Sequence, residues 1–399
     1  MLNKEFLSGS ISIPNRVVFQ PMEGCDCNGD GSPGELTVKK YMKAAESAAG
    51  TVWFEANAVC PEGRTNVGQM MLTEENMDAF KALLGDMRRV AMEKHGIRQF
   101  FVLQLTHSGR QSITPMIAYR HPIYEEKRPV TDDNIVTDEY LDTLPALYAR
   151  SALLAIEAGF DAVDVKACHG YLLSELLNSY VREGKYGGSY ENRTRLFFDA
   201  VEAVRAATSK KFIVGSRFNA YDGYAYPYGM GDSGTPGVPD LTEAKKIAGD
   251  LEKRGATLLN VTMGCPYTNH EVNRPTAFAE VEAPYRSIER MLEGAKAVKE
   301  AAPEAAVVVS GISFLGGFAP NVTAAVIKAG DYDLAGFGRQ TFSYPDLARD
   351  IVTEGGMLQK KMCLTCGKCT QLMRAGKTPG CVIYDKDVYL KLYSSIGER

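Results

Sequence analysis

The chain has 399 residues, of which 45 % are hydrophobic and 24 % charged, proportions that exclude a disordered or collagen-like polypeptide. Its 45 Lys and Arg against 49 Asp and Glu leave a net charge of −4, without the basic excess of a nucleic-acid binder. The sequence offers no obvious apolar run near the roughly 18 residues of a membrane helix. The opening MLNKEFLSGSISIPNR also lacks a signal-peptide core. A cytoplasmic protein is expected, one that neither spans a membrane nor binds nucleic acid.

In chain order, residues 8–14 read as a small hairpin. Eight short, nearly continuous apolar runs follow at 16–21, 51–59, 99–105, 161–167, 211–218, 258–264, 306–311 and 333–339. Such runs suit parallel strands buried on both faces. Helical periodicity fills the gaps at 73–94, 138–158, 191–208, 242–254, 287–302 and 321–329, and the second of these stops at Gly159, a helix-stop signal. Eight strand–helix units predict a (β/α)₈ barrel over residues 1–355, its bottom closed by the hairpin; a doubly wound open sheet is the alternative. Residues 356–399 change composition and read as a Cys-rich C-terminal extension.

A barrel of this kind keeps its chemistry at the C-terminal ends of its strands. The unusual residues fall there. Gln104 ends the third run, Lys166 and His169 follow the fourth, and Arg217 ends the fifth. Gly311 ends the seventh and Arg339 the eighth.

Four of the nine cysteines crowd together as Cys363, Cys366, Cys369 and Cys381. In a reducing compartment such a cluster points to metal rather than disulfides. Four thiolates at close spacing suit zinc or an iron–sulfur cluster. The segment GMGDSG at 229–234 matches a dinucleotide-binding pattern formally. It follows no strand and is trailed by Pro236 and Pro239, so it reads as loop.

The segment AGFDAVDVKACHGYLLSELLNSYVREGKYGGSYENRTR, together with NRVVFQPM, QLTHSGR and GFGRQTFSYP in this order, resembles the old yellow enzyme family. The branch is that of the barrel domains of 2,4-dienoyl-CoA reductase, 2-enoate reductase and trimethylamine dehydrogenase. The resemblance implies FMN in the barrel mouth. It puts Pro21, Met22, Ala56 and Gln104 around the isoalloxazine, and Arg217 at the edge that gains negative charge. Gly311, Gly338 and Arg339 would hold the phosphate. The family's carbonyl-binding pair would be Lys166 and His169, with Lys166 where a His is usual, and Tyr171 would be the proton donor. Lys166 could instead grip a carboxylate or phenolate, or merely pair with an acid. Glu23 stands where many members have Thr or Cys; it would alter the flavin potential or bind something else.

The branch also implies a [4Fe–4S] cluster on the four cysteines, although its usual spacing has one more residue between the second and third thiols. Zinc is the alternative. The branch's second, nucleotide-binding half is not expected here. Electrons would come from NADH or NADPH at the FMN, or from a donor protein through the cluster; a homo-oligomer is also compatible. The Tyr- and Gly-rich loop 219–239 would overhang the mouth as a lid, or be a mobile surface loop. His107 would line the pocket or serve structure, and Cys25 would reach the flavin or be a structural thiol. The implied activity is an FMN-dependent ene-reductase acting on an α,β-unsaturated carbonyl compound. The alternatives are a flavin dehydrogenase passing electrons through the cluster, and an electron-transfer subunit stapled by zinc.

Overall fold

The computed structural model describes residues 1–275 and 283–396. Strands β1 (Phe6–Ser8) and β2 (Ile11–Ile13) form an antiparallel hairpin. Eight strands then close a parallel barrel: β3 (Val17–Phe19), β4 (Thr51–Ala58), β5 (Phe100–Thr106), β6 (Ala162–Val165), β7 (Ile213–Asn219), β8 (Ala256–Thr262), β9 (Ala306–Val309) and β10 (Leu334–Phe337). Each pairs with its sequence neighbour, and β10 returns to β3, so no edge is left open. The barrel is therefore the one predicted, and the open sheet is excluded.

The hairpin does close the bottom. Phe6, Ile11 and Ile13 pack against Phe100, Ala162, Ile213, Ala306 and Leu334, the first residues of β5, β6, β7, β9 and β10. This apolar plug seals the end where the strands begin. The other end is left for polar chemistry.

The long helices match the periodic segments closely, including Asp138–Ala158 with Gly159 at φ 103° as its stop. Two barrel helices, Glu35–Ala45 and Leu347–Glu354, have no counterpart among the periodic segments. Glu35–Ala45 buries Thr37, Tyr41, Ala44 and Ala45, a face too polar and small to stand out by hydrophobicity. One apolar stretch was also underrated. Residues Ile312–Ala329 are long and apolar enough to cross a membrane by length and composition. They form the connection from β9 to β10 and are broken at Gly316 (φ 50°, ψ −128°).

Past the barrel, Lys368–Arg374 and Lys386–Ser394 are helical. Asp385 pairs with Lys39 (3.7 Å) and Lys43 (3.2 Å) of the Glu35–Ala45 helix. Arg374 Nη2 donates to the Pro266 carbonyl at 2.7 Å. The extension thus reaches over the open end of the barrel.

Candidate active site

The open end holds a cavity of about 920 Å³, its mouth included. The loop after β3 contributes Pro21, Met22 and Glu23. Strand β5 contributes Gln104, and the turn after β6 contributes Lys166, His169 and Tyr171. Arg217 comes from β7, Gly311 from beyond β9, and Gly338 and Arg339 from beyond β10. Ten of the eleven non-cysteine site residues expected from sequence thus line one cavity. Ala56 does not. It pairs in register with Gln104 on β4, and its carbonyl accepts from Gln69 Nε2 at 3.2 Å.

The cavity floor is organised by Asp164, which is fully buried. It accepts from Trp53 Nε1 (2.9 Å), Gln104 Nε2 (2.6 Å) and the Arg217 backbone N–H (2.5 Å). Asp164 therefore fixes both Gln104 and the start of the Arg217 turn. The Arg217 guanidinium itself is buried, and its Nε has no hydrogen-bond partner. Burial pulls its pKa below the usual guanidinium value, and only Cys168 and Asp164 act against this. A buried cation left this short of partners calls for an anion in the cavity.

The turn after β6 carries the reactive-looking groups. His169 adopts φ 66°, a left-handed conformation uncommon outside glycine. Burial, then the nearby cations Arg217 and Lys166, hold its imidazole well below the usual range, so it is neutral near pH 7. Its Nε2 lies 3.1 Å from Asn273 Nδ2 and 3.2 Å from Thr262 Oγ1. Asn273 Nδ2 also donates to Thr262 Oγ1 and the Met263 carbonyl, each at 3.1 Å, so Asn273 and Thr262 together hold the imidazole in place. Lys166 Nζ stands 3.6 Å from the centre of the Tyr171 ring, a cation–π contact. Burial lowers the Lys166 pKa, with Glu23 acting in the other direction. The Tyr171 hydroxyl donates to Glu23 Oε2 at 3.1 Å and meets the Tyr267 hydroxyl at 3.0 Å. Burial and the Glu23 carboxylate both push its pKa well above the usual phenol value.

Several lining residues were not anticipated: Tyr267, Asn273, Arg274, Ser310 and Ser313 among them. The first three belong to the loop after β8. Arg274 is half-buried near Arg339 and Arg374, and its pKa is pulled down to about 10, first by desolvation and then by the Arg339 charge. Other expectations resolve as structure. His107 lies outside the cavity; Gly109 N–H donates to its Nδ1 at 3.1 Å, and its Nε2 meets Tyr140 Oη at 2.9 Å. Burial pushes its imidazole down to about 4. Cys25 accepts from Asn66 Nδ2 at 3.2 Å and lines none of the cavity. Cys168 is fully buried, and burial pushes its thiol up to about 12, the behaviour of a packing residue.

The lid expectation needs correction. No residue of loop 219–239 lines the described cavity. Tyr224 is buried against His121 and Tyr124, with ring centres 5.5 Å apart in each case. Tyr226 of the same loop is largely exposed. The segment 229–234 lies within it, outside any helix or strand.

Cys363, Cys366, Cys369 and Cys381 are free thiols around a second cavity of about 370 Å³. Among the described residues, no three His, Cys, Asp or Glu converge as ligands for a metal ion. The expected metal site is therefore not present as an ion-sized nest. Arg339, Phe342 and Cys369 line this cavity and the larger one alike.

The chain is similar to known proteins over most of its length. It is 24 % identical over 365 residues to an NADH oxidase of Thermoanaerobacter brockii, covering 90 % of this chain and 51 % of that protein. It is 31 % identical over 233 residues to an NADPH dehydrogenase of Listeria monocytogenes, covering 56 % of this chain and 65 % of the relative. The chain thus spans between half and two thirds of the length of these relatives. The fold superposes on a 2-naphthoyl-CoA reductase solved with 2-naphthoyl-CoA, at a TM-score of 0.78 and 19 % identity, over 98 % of this chain and 58 % of that one. The family model for NADH:flavin oxidoreductase / NADH oxidase matches residues 5–355. With the barrel, the cavity and these motifs in place, the chain belongs to the NADH:flavin oxidoreductase family, the family of old yellow enzyme.

Proposed function

We propose that the protein is an FMN-dependent ene-reductase that reduces the C=C bond of an α,β-unsaturated carbonyl compound with electrons from NADH or NADPH. One observation carries this reading. A buried lysine, a neutral histidine and a buried phenol stand together in a cavity also lined by a buried arginine whose Nε has no hydrogen-bond partner.

The residues fit FMN. Arg217 Nε is buried without a hydrogen-bond partner, and Gly311 sits at φ 77°, where a side chain would be strained and a Cβ would come within 3.0 Å of Met291. Pro21, Met22 and Gln104 would flank the ring system, and Arg217 its charged edge. Ala56 would support Gln104 from the neighbouring strand. Gly311, Gly338 and Arg339 would hold the phosphate. Bound FMN supplies two-electron chemistry from the nicotinamide to the alkene.

This chain's own residues handle the carbonyl and the proton. Lys166 Nζ and a ring N–H of His169 donate to the carbonyl oxygen, where negative charge grows in the transition state. A buried ammonium does this more strongly than a neutral imidazole, which accounts for tolerance of Lys166 at a position usually held by His. Tyr171 gives the α-carbon its proton.

We also infer that residues 1–355 are the flavin unit and 356–399 an electron-carrying extension. Four free thiols line one cavity, and the resemblance to the branch named above favours a [4Fe–4S] centre on them over zinc. The contact of Cys369, Arg339 and Phe342 with both cavities keeps a second reading open: a flavin dehydrogenase that passes electrons out through the extension, with a donor or acceptor protein as partner.

An anaerobic absorption spectrum with iron and sulfide assays tests both parts. Flavin bands with about four irons per chain are expected. Flavin without iron would remove the cluster and leave the reductase. Neither chromophore would remove the proposal. The direction of reaction separates the two readings, because a reductase substrate reoxidises the reduced flavin and a dehydrogenase substrate reduces the oxidised one.

A further inference from the structure

We propose that Glu23 is the proton reservoir of the site and works through Tyr171 as a two-residue relay. The inference rests on the carbonyl-binding reading of Lys166 and His169. Glu23 lies two residues beyond Pro21 and lines the cavity. Its Oε2 accepts the Tyr171 hydroxyl proton at 3.1 Å, and its Oε1 is buried without a partner. Since Tyr171 has one proton and directs it at Glu23, the 3.0 Å contact with Tyr267 is donated by Tyr267. The Tyr171 oxygen is thus held from two sides, and Lys166 stands 3.6 Å from its ring centre. The ionisable groups whose fields reach Glu23 are Lys166, Tyr171, Tyr267 and Cys25.

The geometry sets the order of proton movement. A buried phenolate beside a carboxylate would place two negative charges together in a dry site. Tyr171 therefore releases its proton to the α-carbon only as another arrives from protonated Glu23. One C–H bond forms at the α-carbon. The Tyr171 O–H breaks and re-forms with the Glu23 proton, leaving Glu23 as the carboxylate. No electrons move in this step. The same path runs backwards. Carboxylate Glu23 draws a proton from the α-carbon of a saturated carbonyl through Tyr171, while Lys166 and His169 stabilise the enolate. The protein should therefore exchange α-hydrogens with solvent, an activity that needs no nicotinamide.

The test uses the purified flavoprotein in D₂O with cyclohexanone as probe and no NAD(P)H, followed by loss of the α-proton NMR signal. In parallel, the reduced flavin is mixed with 2-cyclohexen-1-one. Wild type is expected to exchange. Glu23→Gln is expected to lose about 10²-fold or more in exchange and in flavin reoxidation, and at least about ten-fold more there than in reduction by NAD(P)H. Glu23→Asp, which keeps the carboxylate, should fall between the two. Wild-type exchange without reoxidation by the enone would keep the relay and overturn the ene-reductase reading. Reoxidation with Glu23→Gln exchanging like wild type, or losing both half-reactions equally, would overturn the relay and keep the reductase. Absence of both exchange and reoxidation in wild type would overturn both.

Discussion

Tyr171→Phe is expected to slow reoxidation of the reduced flavin by an enone by about 10²–10⁴-fold, the usual worth of a positioned proton donor. Reduction of the flavin by NAD(P)H should change far less. The substitution is well suited to this question. Phenylalanine keeps the ring and hence its stacking under Lys166 Nζ. It removes only the hydroxyl that links Glu23 to Tyr267. Tyr171 is 2 % exposed, so the ring should stay in place. Anaerobic stopped-flow absorbance reads the two half-reactions separately. Equal loss in both would mean that the residue shapes the cavity and donates nothing.

The second large effect concerns stability. Glu175→Ala is expected to lower the unfolding free energy by about 3–5 kcal/mol, the cost of stranding a buried charge. Arg110 and Glu175 form an ion pair with side-chain exposures of 1 % and 0 %. Glu175 also accepts the Ala118 N–H at 3.0 Å, and Arg110 Nη2 donates to the Tyr119 carbonyl at 2.9 Å. The pair therefore ties the loop after β5 to the helix Leu172–Leu177, whose preceding residue is Tyr171. Without the carboxylate the guanidinium has no anionic partner, and the Tyr171 turn loses its brace. Denaturant unfolding of the flavin-loaded protein measures the loss. The double variant Arg110→Met with Glu175→Leu should recover much of it, because well-packed apolar groups can replace a buried pair at little cost. A single variant within about 0.5 kcal/mol of wild type, the range of an ordinary surface substitution, would show that the pair is not what holds this turn.

The legibility of this chain was uneven for reasons that can be named. The motif around Arg110 was visible in the sequence, but its partner sits 65 positions away, and nothing local marks Glu175 as the counter-ion. His107 and the Tyr-rich loop 219–239 looked functional because polar and aromatic residues near strand ends often are. His107 turned out to be packed against Tyr140, and Tyr224 of the loop against His121 and Tyr124. An aromatic that does reach the cavity without having been expected there is Tyr267, in a loop whose sequence carries no periodic signal. Asn273, which fixes His169, and Arg274 lie in that loop too. The distance between Asn273 and His169 is 104 positions along the chain and 3.1 Å in space.

By itself the sequence determined the barrel, its hairpin plug and the end at which chemistry resides. Near-continuous apolar runs alternating with amphipathic ones encode a parallel α/β architecture through local periodicity, and their number, eight, favours the closed barrel over the open sheet. It also determined which side chains from six strand ends could meet, because a closed parallel barrel brings all its C-terminal ends to one rim. What only the tertiary structure decided was how those side chains are wired. Whether Lys166 meets an acid or a ring, whether Tyr171 points its proton at Glu23, and whether four thiols converge on an ion or surround a wider space all depend on contacts between loops distant in sequence. Hydrogen bonds and buried charges are settled over about 3 Å, and a chain has no local pattern that records such a distance.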